Sequence, residues 1–236
     1  MSTRAIAEIS RLNDVTLRNG MGASSREALE RSCGIVLPAA HTALLEYSNG
    51  IEAYAGYVRL FGVGGEGGID SIAWNHHDCW KFAWGGRASG FWCFAETAWG
   101  DQCAYALDVL TGGKECVVYF LDAFSMTPQV VASSFAEFLE GEFLRCGKEP
   151  YDPLIRQARQ KFGPLDVATH LVYVPSLLLG GTEEIAHVEK MDARAAMICN
   201  GDIAIQLDEG PPEKSVESLQ LYQDEMQRTR LRLLWK

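Results

Sequence analysis

The chain has 236 residues, 47% of them hydrophobic and 22% charged, and these ordinary globular values argue against disorder. The formal net charge is -10, with 18 acidic and 11 basic residues before Pro150 and 13 and 10 from there on, and no Lys/Arg cluster stands out. Nucleic acids and anionic membranes both attract basic surfaces, so the sequence predicts neither as a partner. An acidic protein of this size favours a basic protein partner instead.

The cellular location follows from two further features of the sequence. The N-terminus lacks the apolar core of a secretory signal, and no run approaches the ~20 apolar residues that span a bilayer. The seven cysteines are odd in number and include no C-x-x-C spacing. They predict reduced thiols in a cytoplasmic protein rather than a disulfide framework.

Helices dominate the first 50 residues. They are predicted over residues 1–20, 24–34 and 38–49. Ser24 followed by Glu27 is the pattern of a capping box at the start of the second helix. Gly34 suits the left-handed residue that ends that helix, and Pro38 suits the first turn of the third.

The next 100 residues mainly have the residue pattern of β-strands. Strands are predicted at Tyr57–Phe61, Phe91–Ala95, Cys103–Leu107 and Cys116–Leu121. The last three runs are about a dozen residues apart and separated by glycine-containing turns, which predicts an antiparallel meander. Ser134 and Glu137 form a second capping box, which opens a helix over Phe135–Leu144. This segregated order of helices and strands predicts an α+β fold rather than βαβ repeats.

A proline-rich segment at Glu149–Pro153 predicts a linker between two domains, residues 1–148 and 149–236. The second is expected to be a smaller α+β domain with β-hairpins. It would contain a helix at Leu154–Phe162, a strand at His170–Val174 and a hairpin over 195–207. Asn200-Gly201 would form the turn of that hairpin, because both residues accept positive φ.

The last segment of the chain leaves two alternatives open. Apolar residues alternate with polar ones at Leu219 and Leu221 and again at Leu231, Leu233 and Trp235, which favours a second hairpin. Gln223–Arg228 has helical propensity, which favours a helix instead.

Two motifs suggest chemistry only weakly. Gly62–Gly67 matches G-x-G-x-x-G, but no βαβ repeat surrounds it, so a connecting loop is expected. His76, His77 and Asp78 are compatible with a metal, yet a zinc site needs three or four converging ligands. A polar loop is the simpler interpretation, and an enzyme or metal protein using these residues remains an alternative. No catalytic motif is present, so we expect no enzyme activity and no cofactor.

Five of the six tryptophans lie within Trp74–Trp99, with carboxylates interleaved. A buried core explains tryptophans in general. Aromatics ringed by acidic groups are also typical of protein-binding surfaces, where the aromatics anchor the partner and the charges steer it. Both readings stay open. The candidate partner-binding residues are Asp70, Asp78, Trp80, Trp84, Glu96, Trp99 and Asp101.

A family resemblance rests on several short pieces in a fixed order. They are Leu29-Glu30, Cys33–Pro38, Leu44–Gly50, Val58–Gly62, Phe94–Glu96, Gly100-Asp101, Ala104–Asp108 and Ser134–Leu139. Together they resemble the SUKH immunity superfamily over about residues 20–145. The resemblance implies helices packed on a mainly antiparallel sheet.

The C-terminal part resembles the C-terminal domain of type VI secretion immunity proteins that neutralise DNase effectors. The matching residues are Ala158, Phe162–Leu165 and Tyr173–Gly181. These resemblances imply a cytoplasmic bacterial immunity protein, or antitoxin. It would bind a basic cognate toxin, in particular a nuclease, and occlude its active site without catalysis of its own. The alternative is a SUKH-like regulatory protein-interaction scaffold with no toxin partner.

Overall fold

The computed structural model describes residues 3–12, 14–64, 67–110, 112–145 and 152–236. The α-helices are α1 (Thr3–Ile9), α2 (Ala23–Cys33), α3 (Ala39–Tyr47), α4 (Ser71–Asn75), α5 (Phe135–Phe138), α6 (Pro153–Phe162) and α7 (Ala193–Glu209). Most of the predicted linker Glu149–Pro153 and part of the predicted Gly62–Gly67 loop lie outside the described residues. Among the described helices, none combines the length and apolar character needed to cross a membrane.

The main sheet has seven strands in chain order, each antiparallel to the next. They are β1 (Thr16–Leu17), β2 (Ile51–Ala53), β3 (Val58–Leu60), β4 (Phe91–Thr97), β5 (Gln102–Ala106), β6 (Val118–Leu121) and β7 (Pro128–Ala132). This confirms the α+β class. Two separate antiparallel ribbons follow, β8 (Thr169–Tyr173) with β9 (Val188–Asp192), and β10 (Val216–Gln223) with β11 (Thr229–Trp235). The second ribbon is the hairpin favoured for the last segment.

The helix ends match the predicted caps only in part. Gly34 ends α2 in the left-handed conformation, as expected. The capping box at Ser24 is wrong, because Ser24 lies inside α2. The N-cap is Gly22, two residues earlier, and no side chain caps the helix. At α5 the Ser134 hydroxyl does accept a hydrogen bond from the Glu137 amide, at 3.2 Å. The helix then continues as a π-helical turn over Leu139–Phe143.

The hairpin predicted around Asn200-Gly201 is wrong, because both residues lie in the middle of α7. Their role there is close packing. A Cβ at Gly201 would lie 2.8 Å from the Ala83 carbonyl oxygen, so glycine allows α7 to approach that backbone. The Asn200 amide donates to the Ala123 carbonyl at 3.2 Å. Tertiary burial therefore overrides the local turn preference of the pair.

The hydrophobic core runs across the predicted boundary at residue 148. Ile155, Ala158 and Leu171 belong to the same buried cluster as the helices and sheet of the first part. A second cluster joins Trp80 and Trp84 to α7. The division into domains 1–148 and 149–236 stays a prediction, and the two parts share their cores.

Candidate functional site

The tryptophans expected at a binding surface divide into buried and accessible ones. Trp80 and Trp84 are both 0% exposed, so a partner cannot touch their side chains in this conformation. The Trp84 indole donates to the Met197 carbonyl on α7 at 3.0 Å. These two residues form the interface between the first part of the chain and α7, which is the core interpretation of the tryptophan-rich segment.

Glu96 is also fully buried, and it lies in a charged cluster. Its carboxylate accepts from Arg59 Nη1 at 3.0 Å and lies 3.1 Å from His170 Nε2. The Gln102 amide approaches the same carboxylate at 3.3 Å. Burial alone would raise the pKa of Glu96, but His170 and Arg59 outweigh it and hold that pKa below its usual range. Glu96 therefore ties β4 to β8 and is not available to a partner.

Asp70 is the N-cap of α4, and Asp78 follows three residues after the helix ends. The Asp70 carboxylate caps α4 by accepting from the Ile72 amide at 3.1 Å, and it accepts from Gly64 at the same distance. The Asp78 side chain is 57% exposed and lies 3.3 Å from Arg228 Nη1. Arg228 also pairs with Asp224 at 2.8 Å, so it offsets the charge of the exposed Asp78 only in part.

The neighbouring residues His76 and His77 do not build a metal site. Among the residues that the structure describes, no group of three or more His, Cys, Asp or Glu side chains could hold a metal ion. His76 Nδ1 lies 3.9 Å from an Asp78 carboxylate oxygen, which is an exposed electrostatic contact.

Of the remaining predicted residues, Trp99 belongs to an accessible patch and Asp101 lies next to it. Trp99, in the β4–β5 turn, stacks on Tyr173 at the end of β8, with ring centroids 4.9 Å apart and planes inclined by 2°. Phe124, in the β6–β7 turn, lies 6.4 Å from the Tyr173 ring. We call these three half-buried rings the aromatic patch. Its members come from three turns or strand ends on both sides of residue 148.

Three carboxylates lie near the aromatic patch. Asp152 accepts from the Trp99 indole at 2.8 Å and caps α6 through the Leu154 amide. Partial burial raises the pKa of Tyr173 to about 12, with Glu183, Asp152 and Asp101 adding to the shift. Those three carboxylates are therefore close enough to place the patch in a negative field.

Asp101 contributes to this field from a position that is largely structural. Its carboxylate accepts from the Thr97 hydroxyl at 2.7 Å and from the Ala123 amide at 2.9 Å. Burial raises its pKa, and nearby Asp122 adds to the rise. Asp101 thus fixes the loop that carries Phe124 as well as adding charge.

Sequence reasoning missed Phe124, Tyr173, Asp152 and Glu183 as site residues. Trp99 stood out because of the tryptophan density around it, whereas the others are isolated in sequence. Asp152 lies in the segment predicted as a linker, where its two bonds could not be foreseen. Only the packing of β8 against the β4–β5 turn brings them together.

Comparison with known proteins identifies the first part of the chain. Residues 25–141 match the model of the SMI1 / KNR4 family (SUKH-1). This part of the chain belongs to that family. SUKH membership is consistent with an immunity protein, and proteins of this family are generally non-enzymatic immunity or regulatory proteins.

Among solved structures, the SUKH-containing chain is similar to the crystal structure of Atu4351 from Agrobacterium tumefaciens. The TM-score is 0.56 at 11% sequence identity, and the match covers 94% of each chain, so the two share a fold. No curated protein matches the chain. None of these matches carries the resemblance of residues 149–236 to type VI secretion immunity proteins, which stays a prediction.

Proposed function

We propose that this SUKH protein is a bacterial immunity protein that binds a secreted toxin and occludes its active site. The observation that carries the proposal is the accessible aromatic patch with three carboxylates near it, in a chain with a net charge of -10. Half-buried stacked rings are rigid, so they can anchor a partner at a low entropic cost.

The charge of the patch favours a nuclease as the toxin. A nuclease binds phosphates through a basic groove, and an acidic protein can occupy that groove in place of the substrate. Asp152 and Glu183 would lie at the rim of such an interface, where charges speed association more than they raise affinity. The type VI secretion route remains part of this proposal and rests on the resemblance alone.

Binding to the product of the neighbouring toxin gene tests the proposal. Glu183→Lys reverses an exposed charge beside the patch, and Glu213→Lys makes the same change in an exposed position elsewhere. We expect Glu183→Lys to associate with the toxin more slowly than the wild type does at low salt. The difference between the two association rates should become smaller as added salt screens the charges. Glu213→Lys should behave as the wild type does.

The anchor is tested by Tyr173→Ala. Loss of one interface anchor costs ~2 kcal/mol, or about 30-fold in Kd. A thermal melt of each variant separates lost binding from lost folding. The proposal fails if the wild-type chain neither binds the toxin nor rescues growth in co-expression. Stable capture of a host protein without a neighbouring toxin gene would support the regulatory scaffold instead.

A further inference from the structure

The two edges of the β10–β11 ribbon differ in their hydrogen bonding. Side chains of α7 cover the outer edge of β11. The Leu231 amide donates to the Asp202 carboxylate at 2.7 Å, and the Leu233 amide donates to the Gln206 side-chain oxygen at 3.0 Å. The Gln206 side chain also donates to the Leu231 carbonyl at 2.8 Å. One edge of this ribbon is therefore closed to further strands.

In the part of the chain that the structure describes, no strand pairs with the outer edge of β10. Leu231 pairs with Leu221, and Leu233 pairs with Leu219. In an antiparallel pair of strands, two opposite residues point their N–H and C=O groups either toward each other or both away from the other strand. The N–H groups of Leu231 and Leu233 point away from β10. The N–H and C=O groups of Leu221 and Leu219 therefore point away from β11. No hydrogen-bond partner for these two amides occurs among the described residues.

Four leucines form an apolar row on one face of the ribbon, and α7 covers only the two that belong to β11. Leu231 and Leu233 are 8% and 3% exposed because they pack on α7. Their cross-strand neighbours on the same face, Leu221 and Leu219, are 67% and 48% exposed. An eight-residue strand with a free edge and two exposed leucines is what another strand would extend.

We propose that a second copy of this chain pairs with β10 through a two-fold axis at Gln220. Leu219 of one copy would then lie opposite Leu221 of the other. These outward-facing residues would exchange four backbone hydrogen bonds. The result is a four-stranded sheet in the order β11-β10-β10-β11. The two apolar rows would join into one, between the two α7 helices.

The charges of β10 favour this occupant. Edge strands usually carry lysine, proline or inward charges that prevent such pairing. The one Asp, Glu, Lys or Arg residue in β10 is Glu217. The two-fold axis places it opposite Gln223 of the other copy, so no like charges meet. A strand that is complementary to itself in both register and charge matches a second copy better than an unrelated strand.

Sedimentation velocity over a range of protein concentrations tests the association. We expect a reversible dimer whose Kd rises at least ~10-fold in Leu221→Lys, since that change places two ammonium groups beside the joined leucines. The matched control is Leu234→Lys. Leu234 is 38% exposed on the opposite face of β11, so this variant should dimerise as the wild type does.

Cysteine cross-linking tests the register. At a two-fold axis, Gln220 faces its own copy in a non-hydrogen-bonded pair about 4.5 Å apart, within reach of a disulfide. Gln220→Cys should therefore form a covalent dimer under mild oxidation. Ser218→Cys, on the same face two residues away, would lie about 13 Å from its copy and should not. The unsubstituted chain sets the background from the natural cysteines.

Three results would overturn the proposal. The first is a monomer at every concentration. The second is equal cross-linking of Gln220→Cys and Ser218→Cys. The third is a monomeric chain in which Leu221→Lys weakens toxin binding, because β10 would then take a strand of the toxin instead.

Discussion

Substitution of Glu96 by glutamine removes the negative charge of the buried cluster while keeping its shape. Arg59, 1% exposed, would lose the carboxylate that lies 3.0 Å from its Nη1 and keep its hydrogen bond to the Gly56 carbonyl at 3.1 Å. His170 would lose its charged neighbour as well. Leaving a buried cation without its counter-charge typically costs ~3–5 kcal/mol. That is a large share of the ~5–15 kcal/mol that stabilises a typical domain.

Urea unfolding at pH 7 measures this loss directly. The matched control is Glu142→Gln, which removes an ion pair of similar length, 2.9 Å to Arg145, from the surface. An exposed pair contributes ~1 kcal/mol at most. We therefore expect Glu96→Gln to lower the free energy of unfolding several times more than the control. A loss below ~1 kcal/mol at Glu96 would refute the assignment of a stabilising buried charge.

The pH dependence gives an independent check on Glu96. Its folded-state pKa lies below the unfolded value of 4.5, so the carboxylate stabilises the fold above pH 4.5. That contribution is lost as the pH falls through the folded-state pKa. The difference between wild type and Glu96→Gln should therefore shrink in acid. A difference that is the same at pH 3 and pH 7 would contradict the charge argument.

Two further predictions concern other buried positions. Burial lowers the pKa of His41 from 6.5 to about 3, so the unfolded chain binds a proton that the folded chain excludes. Stability should fall by up to ~1.4 kcal/mol per pH unit below pH 6.5, and His41→Gln should remove that component from urea titrations. Gly56→Ala should cost several kcal/mol, because its Cβ would lie 2.0 Å from the Leu165 carbonyl oxygen. Gly180 has the same φ of +84°, but nothing lies within 4 Å of its added Cβ, so Gly180→Ala should cost only ~1 kcal/mol. Thermal melts of both variants measure the two losses. Equal losses would refute the clash with Leu165 as the cause.

Local patterns predicted the middle of the antiparallel sheet but not its ends. The helix predicted over residues 1–20 is wrong beyond Ile9, because β1 lies in that span, and β2 and β7 were not predicted. The strands β4, β5 and β6 follow from β-branched and aromatic runs separated by short turns, and hairpin neighbours in sequence remain neighbours in the sheet. Gly34 was predictable for a similar reason, since the left-handed end of a helix is a property of the backbone at one residue. These features depend on a few consecutive residues.

Features that depend on distant contacts were not predictable in this way. Asn200-Gly201 has the local signature of a turn, yet close packing on Ala83 places it in α7. Glu96 read as an acidic residue among tryptophans, and only the positions of Arg59 and His170 explain its burial. The candidate site was predictable only in part. Trp99 was found from local density, whereas Tyr173 joined it through a tertiary contact.

The buried cluster and the aromatic patch are parts of one junction. His170 and Tyr173 belong to the same strand, β8, and the Leu171 amide between them donates to the Ala98 carbonyl at 2.7 Å. Glu96 and Trp99 lie on the other side of that contact, at the end of β4 and in the turn after it. The charged cluster therefore fixes the position from which Tyr173 stacks on Trp99. In the proposed complex with a toxin, a variant that weakens the Glu96–His170 contact should raise the Kd, although neither residue reaches the surface.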